Sequence, residues 1–233
     1  MAEVPSGRKV SSVDLLNKLD PFLRRKWEYV FATFFDINKD AVLEWEDFEL
    51  LLEKIKETRG ADSDDYKKGG ESMKKIWTEL RRVADRNTDD VVTMTEWQTM
   101  WFNTIGAGGS STQTAEQHKW EKLYLDYMFQ VIDSSGDGVV DLSEYIHIMS
   151  YYGIDRKRAI WAFDKFAMDS KGNPLNSITY EDFCKRWNEY FHSLDPKSRG
   201  NYLFGDVSNQ FDPNEVNDDI IDEEEEDEDA EGA

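Results

Sequence analysis

Cysteine is nearly absent: Cys184 stands alone among the 233 residues, which excludes an intramolecular disulfide and fits a reducing interior. The opening residues Met-Ala-Glu-Val-Pro hold no apolar signal run, and Ala2 stands where N-myristoylation requires glycine. No stretch reaches the apolar length of a membrane span. A cytoplasmic chain without constitutive membrane insertion is therefore expected. A basic face is missing as well. The formal charge is −21, and the tail from Asp212 onward holds 13 acids and no Lys or Arg, which leaves −8 on residues 1–211. Nucleic acid and anionic membrane are poor partners for such a surface.

Catalytic chemistry is equally sparse. His118, His147 and His192 are scattered, with neither a nucleophile nor metal-ligand spacing around them. No Gly-x-x-x-x-Gly-Lys-Ser/Thr loop occurs; Gly106-Ala-Gly-Gly-Ser-Ser-Thr112 lacks the lysine and a preceding strand, and reads as a linker. Cys184 follows Phe183 on the last predicted helix and reads as a packed, inert thiol. No enzyme is expected.

What the chain does have is a twelve-residue, oxygen-rich pattern written three times. Loop one is Asp36-Ile-Asn38-Lys-Asp40-Ala-Val42-Leu-Glu-Trp-Glu-Asp47, loop two Asp85-Arg-Asn87-Thr-Asp89-Asp-Val91-Val-Thr-Met-Thr-Glu96, and loop three Asp133-Ser-Ser135-Gly-Asp137-Gly-Val139-Val-Asp-Leu-Ser-Glu144. Oxygen-bearing side chains at positions 1, 3 and 5, a carbonyl at 7 and an acid at 12 are the ligand set of the EF-hand loop, which wraps six to eight oxygens around a hard Ca²⁺ ion. The expected ligands are Asp36, Asn38, Asp40, Val42 and Asp47; Asp85, Asn87, Asp89, Val91 and Glu96; and Asp133, Ser135, Asp137, Val139 and Glu144. Three calcium ions are expected. Gly138 suits the sharp turn at position 6 of loop three, whereas Ala41 and Asp90 occupy that place in loops one and two. Asp47 is one methylene shorter than Glu96 and Glu144, which favours six-coordination and admits Mg²⁺ at loop one.

Helical periodicity surrounds each loop. Asp20-Pro21 opens the first helix; Phe22, Trp27, Val30, Phe31, Phe34 and Phe35 lead into loop one, and Phe48, Leu51, Leu52 and Ile55 leave it. Polar breaks are expected at 59–65 and near Gly69-Gly70. A fourth helix–loop–helix follows, entered by Ile160, Phe163 and Phe166 and left by Phe183, Trp187, Tyr190 and Phe191. Its loop is degenerate. Aligned on Phe183, Lys171 falls at position 1; started at Asp169, the loop is two residues too long and holds Pro174 at the turn. It is expected to bind no metal, with Ser177-Ile178-Thr179 pairing to loop three. The resulting all-α plan has a flexible leader at 1–12, an EF-hand pair at 13–105, a linker at 106–117, a second pair at 118–195, a packing segment at 196–211 and a disordered acidic tail at 212–233.

Loop spacings of 49 and 48 residues, Phe34-Phe35-Asp36 running into Val42–Leu50, an acid at position 6 of the Asp85 loop, and Gly200-Asn-Tyr-Leu-Phe-Gly205 complete the pattern. In these features, over roughly residues 20–205, the chain resembles the invertebrate sarcoplasmic calcium-binding proteins, and among them the calexcitin branch. The resemblance implies a compact, all-helical fold with two hand pairs and calcium at loops one, two and three. It leaves two roles open. The wider family consists of soluble buffers; calexcitin-like proteins are associated with neuronal calcium signalling, which implies a sensor acting on a target protein or channel, and GTP binding has been attributed to them. Seven Met against 31 aromatics at core spacings lean towards a monomeric buffer, because flexible methionine suits a re-packing target groove and Trp and Phe suit a fixed core.

Overall fold

The computed structural model describes Asn17, residues 19–105 and residues 115–216. The leader 1–12, residues 106–114 of the linker and most of the acidic tail lie outside the described residues. The first helix starts where its cap predicts. The Asp20 carboxylate accepts the Phe22 amide at 2.8 Å, and Pro21 takes the first turn. This helix, α1 (Pro21–Val30), runs into a π-helical turn at Phe31–Phe35, closed by the Asp36 amide on the Phe31 carbonyl at 2.9 Å. The residue gained in that turn lets Phe31, Phe34 and Phe35 all bury themselves just before loop one begins.

After loop one come α2 (Trp45–Arg59) and α3 (Asp64–Ala84), and after loop two α4 (Met94–Ile105). The second half repeats the plan with α5 (Ala115–Ile132), α6 (Leu142–Tyr151), α7 (Arg156–Phe166) and α8 (Tyr180–His192). The loops pair through two short antiparallel ribbons. In one, β1 (Val42–Leu43) meets β2 (Val92–Thr93), with Leu43 opposite Val92. In the other, β3 (Val139–Asp141) meets β4 (Ser177–Thr179), with Val140 opposite Ile178. Position 8 of every loop, including the degenerate one, is thus an aliphatic side chain sunk into the core.

The expected break at Gly69-Gly70 is absent. Residues 64–84 form one uninterrupted helix, capped by Ser63. A Cβ on Gly69 would stand 3.7 Å from Leu52 Cδ2, an ordinary contact, so packing does not demand glycine there. The helix carries each glycine at a cost of about 1 kcal/mol relative to alanine.

Aromatic rings join the two halves. Trp27 of α1, Trp97 and Trp101 of α4, Trp120 of α5 and Trp187 of α8 are fully buried. Trp101 stacks on Phe191 at 4.4 Å and on Trp27 at 6.0 Å, and meets Trp120 edge-on at 5.5 Å. Trp27 Nε1 donates to the Phe191 carbonyl at 3.1 Å, and Trp97 Nε1 to the Trp27 carbonyl at 3.0 Å. Lys26 is buried beside them. Its ammonium donates to the Ser193 carbonyl at 2.9 Å, to Asn201 Oδ1 at 3.1 Å and to the Glu189 carbonyl at 3.4 Å. Burial holds its pKa down at about 7, against the upward pull of Asp20.

The Gly200–Gly205 motif closes the bottom of this core. Phe204 sits 4.8 Å from Tyr190 and 5.0 Å from Phe34 between ring centroids. Gly200 is obligatory there, since a Cβ would come within 2.3 Å of the Arg186 carbonyl. The chain stays packed further than its charge suggested. Asp212–Val216 belongs to the body rather than to a solvated tail: Glu215 accepts from Trp161 Nε1 at 2.8 Å and from Lys165 Nζ at 2.9 Å, and Val216 is buried. An apolar residue and a carboxylate facing an indole N–H outweigh the acidic composition locally.

Candidate metal centre

Loops one, two and three share one internal geometry. Their first acid folds back over the turn: Asp36 accepts the amides of Asp40 at 3.1 Å and Ala41 at 3.2 Å, Asp85 those of Thr88 at 2.7 Å and Asp90 at 3.1 Å, and Asp133 those of Gly136 at 2.9 Å and Gly138 at 3.1 Å. The fifth position braces the seventh, with Asp40, Asp89 and Asp137 accepting from Val42, Val91 and Val139 at 3.0, 3.1 and 2.9 Å. The last acid then reaches across the loop to its beginning. Asp47 Oδ1 accepts from Ile37 at 2.8 Å, Glu96 Oε1 from Arg86 at 3.1 Å, and Glu144 Oε1 from Ser135 at 2.8 Å. The second oxygen of each caps the exiting helix, on the amides of Glu44, Thr93 and Asp141.

The turn uses left-handed backbone at two positions, not one. Position 4 as well as position 6 has positive φ: Lys39 (65°) and Ala41 (69°), Thr88 (60°) and Asp90 (66°), Gly136 (73°) and Gly138 (86°). Loops one and two hold side-chain-bearing residues there, each costing about 1–2 kcal/mol; loop three uses glycine twice and is relaxed. Only position 6 was foreseen from sequence. In loop two, Arg81 of α3 bonds the Asp90 carboxylate and steadies that turn from outside.

All the loop donors are oxygens, which suits a hard divalent cation and no soft one. Asp47 lies nearly sealed from solvent at 1% exposure, and burial raises its carboxyl above the usual range against the three amides that lower it. Among the described residues no three His, Cys, Asp or Glu form a metal-holding cluster by themselves. What the loops offer is mixed: carboxylates, an Asn or Ser oxygen at position 3 and a main-chain carbonyl at position 7.

Loop four is built differently. Asp169 turns inward on its own loop, accepting from Lys171 at 2.7 Å and Asn173 at 2.9 Å, and a β-bridge links Met168 to Pro174. Asp182 caps α8 through Thr179 Oγ1 at 2.8 Å instead of spanning the loop. Two guanidinium groups cover carbonyls at the loop's entrance. Arg186 donates to Phe166 and Met168, both at 2.9 Å, and Arg199 donates to Met168 at 3.5 Å and to Asp169. Arg186 is itself held by Glu189 at 3.1 Å. These arginines lie 17 and 30 residues beyond Asp169 in the chain, outside any loop motif, and sequence reasoning missed them.

No protein-family model matches the chain. Among individual proteins, Calexcitin-1 of Caenorhabditis elegans is 37% identical over 203 residues, spanning 84% of this chain and 94% of its own. The chain belongs to the sarcoplasmic calcium-binding protein and calexcitin family. The beta chain of the Penaeus sarcoplasmic calcium-binding protein is 30% identical over 186 residues, covering 76% of this chain and 93% of that one. The solved amphioxus sarcoplasmic calcium-binding protein superposes with a TM-score of 0.65 at 26% identity, over 80% of this chain and 98% of that one. The photoprotein clytin, with a TM-score of 0.54 at 16% identity over 80% of this chain and 95% of its own, shares the fold.

Within this family fold, His147 and His192 find partners outside the loops. His192 Nε2 lies 2.7 Å from Glu121 Oε1, which also accepts from Trp187 Nε1 at 3.1 Å; His147 meets the Tyr151 hydroxyl at 2.9 Å. The side chain of His118 lies outside the described residues. Cys184 is a half-buried free thiol. Among the described residues no helix is long and apolar enough to cross a membrane.

Proposed function

We propose that this chain binds three calcium ions, one in each of loops one to three, and works as a calcium buffer. The observation that carries the reading is the carboxylate at position 12, which in all three loops already spans from the exiting helix to the loop's first residues. The ligands are those of the sequence pattern: Asp36, Asn38, Asp40, the Val42 carbonyl and Asp47; Asp85, Asn87, Asp89, the Val91 carbonyl and Glu96; Asp133, Ser135, Asp137, the Val139 carbonyl and Glu144. Relatives named for calcium binding support it. Hand four serves as the structural partner of hand three.

A buffer changes shape little on loading, whereas a sensor opens a Met-rich groove. Met73, Met100, Met128 and Met149 are buried in the aromatic core, and the large apolar side chains exposed among the described residues are only Leu50 and Leu194. That surface supports a monomer with no preformed target groove. At loop one, the short Asp47 reaches six-coordination most easily, so Mg²⁺ competes there. Asp47→Glu should raise the calcium preference of that site; an unchanged preference counts against the coordination argument.

Calcium titration with and without physiological Mg²⁺, read by calorimetry, tryptophan fluorescence and hydrophobic-dye binding together, tests the role. Three tight sites, one weakened by Mg²⁺, with little dye uptake fit the buffer. Strong calcium-induced dye binding would favour the sensor.

A further inference from the structure

The glycine that relaxes the turn of loop three also exposes it to a reaction that loops one and two resist. Asp137-Gly138 is the single Asp-Gly pair in the 233 residues, and no Asn-Gly pair occurs. Loops one and two hold Asp40-Ala41 and Asp89-Asp90 at the same two positions. In all three loops the carboxylate of position 5 reaches the amide of position 7, and so lies folded over the peptide nitrogen of position 6. That nitrogen donates in each case to the first acid: Gly138 to Asp133 Oδ2 at 3.1 Å, Ala41 to Asp36 at 3.2 Å and Asp90 to Asp85 at 3.1 Å.

What differs is the atom beside the nitrogen. Ala41 and Asp90 carry a Cβ there, which crowds an approach to it. Gly138 carries none, and it is exposed together with Asp137. A Cβ built on Gly138 would meet nothing within 4 Å, so no neighbouring group shields the nitrogen either. Glycine also lets the backbone rotate into the geometry that closes a five-membered ring.

We propose that Asp137 is a site of spontaneous isomerisation to isoaspartate, open in the calcium-free loop and closed by the bound cation. The Gly138 nitrogen attacks Cγ of Asp137 in its acid form. The N–Cγ bond forms, the C–OH bond breaks, and the hydroxyl leaves with the nitrogen's proton as water. Asp133 already accepts that proton's hydrogen bond and can carry it, and the Val139 amide faces the Asp137 oxygen on which charge develops. Water then adds at the main-chain carbonyl of the imide and breaks its C–N bond, so the chain continues through the former side chain. No atom is gained or lost overall, and no oxidant or cofactor takes part. The product has an extra methylene in the main chain between positions 5 and 6 and a carboxylate shortened by it, so position 5 no longer reaches the cation. A bound cation fixes the Asp137 carboxylate and the Val139 carbonyl on either side of Gly138 and prevents ring closure; this protection rests on the calcium reading, whereas the reaction does not.

The test incubates the full chain at neutral pH and physiological temperature, with excess calcium or with a calcium chelator. Isoaspartate is located by electron-transfer fragmentation and counted by isoaspartyl methyltransferase labelling. In the chelator it should accumulate at 137 well ahead of 40 and 89, and the aged chain should lose one calcium ion from its native mass spectrum. Calcium at about 100 times its dissociation constant leaves about one loop in 100 free, so the rate should fall on the order of 100-fold. Gly138→Ala should slow position 137 to the rate of position 40; Ala41 shows that alanine is accommodated at a similar backbone angle. Accumulation at 137 no faster than at 40, or a Gly138→Ala chain that ages like the wild type, overturns the proposal. So does a loop three that binds calcium and isomerises no slower. Isomerisation at 137 that calcium does not slow, in a chain that takes no ion at loop three, upholds the site and removes the calcium reading.

Discussion

Loops three and four lie back to back on one β-ribbon, Val140 against Ile178, and each closes the gap between an entering and an exiting helix. Loop three keeps two left-handed glycines, a first acid folded over the turn, and Glu144 stretched across to Ser135. Loop four has lost that span. Carbonyls at its entrance, those of Phe166, Met168 and Asp169, are covered by Arg186 and Arg199, so positive charge stands where the entering helix ends. A helix–loop–helix can thus keep its place in the ribbon with or without an acid that spans the loop. Aliphatic position 8 is common to both, and it maintains the pair.

The comparison breaks most sharply at Glu144. Glu144→Gln removes a unit of charge and one oxygen from the closing ligand, and site three should weaken by at least about 100-fold. Asp182→Asn, the matching change in loop four, should leave calcium affinities unaltered; calorimetry on both variants checks the contrast. Arg199→Ala is the converse probe. It should lower stability by about 1 kcal/mol, the scale of charge-assisted hydrogen bonds at a half-exposed site, without changing the number of ions bound. Denaturant unfolding alongside a calcium titration separates the two effects.

A smaller effect concerns the joint between the hand bearing loop one and the helix leaving loop four. Lys26 sits in the fold with a pKa of about 7, well below its unfolded value near 10.4. Between those values the unfolded chain binds more protons, so stability should rise with pH across 7–9, by on the order of 1 kcal/mol for each pH unit. Below pH 7 this contribution should be flat. Lys26→Met should flatten the slope in urea midpoints measured across that window.

The smallest effect is expected from the tail. Removing residues 217–233 takes away 11 acids, yet charges beyond about 8 Å are screened at physiological ionic strength, and calcium affinities should hold there, with a change only at low salt. Cutting from Asp212 should behave worse in thermal melts, because it also strips Glu215 from Trp161 and Lys165 and removes Val216.

What could be read from the chain divides along this same line. The three intact loops, the Asp20 cap and the Ser177-Ile178-Thr179 strand were legible because twelve or fewer consecutive residues determine them. Lys171 showed that loop four had lost its ligand pattern, but what replaced it depends on side chains brought in by tertiary packing. The helix through Gly69-Gly70 runs on because two glycines lower helix propensity without ending a helix of 21 residues, and the packed Asp212–Val216 depends on Trp161. The left-handed backbone at Lys39 and Thr88 carried no glycine signal, since their loops hold that conformation through amide bonds to the first acid.

Native mass spectrometry of the full chain across a calcium titration, repeated with Glu144→Gln, measures the central distinction between the loops. The account predicts three tightly bound ions in the wild type and two in the variant. Four ions, or two ions in the wild type, would contradict it, as would a variant that still binds three.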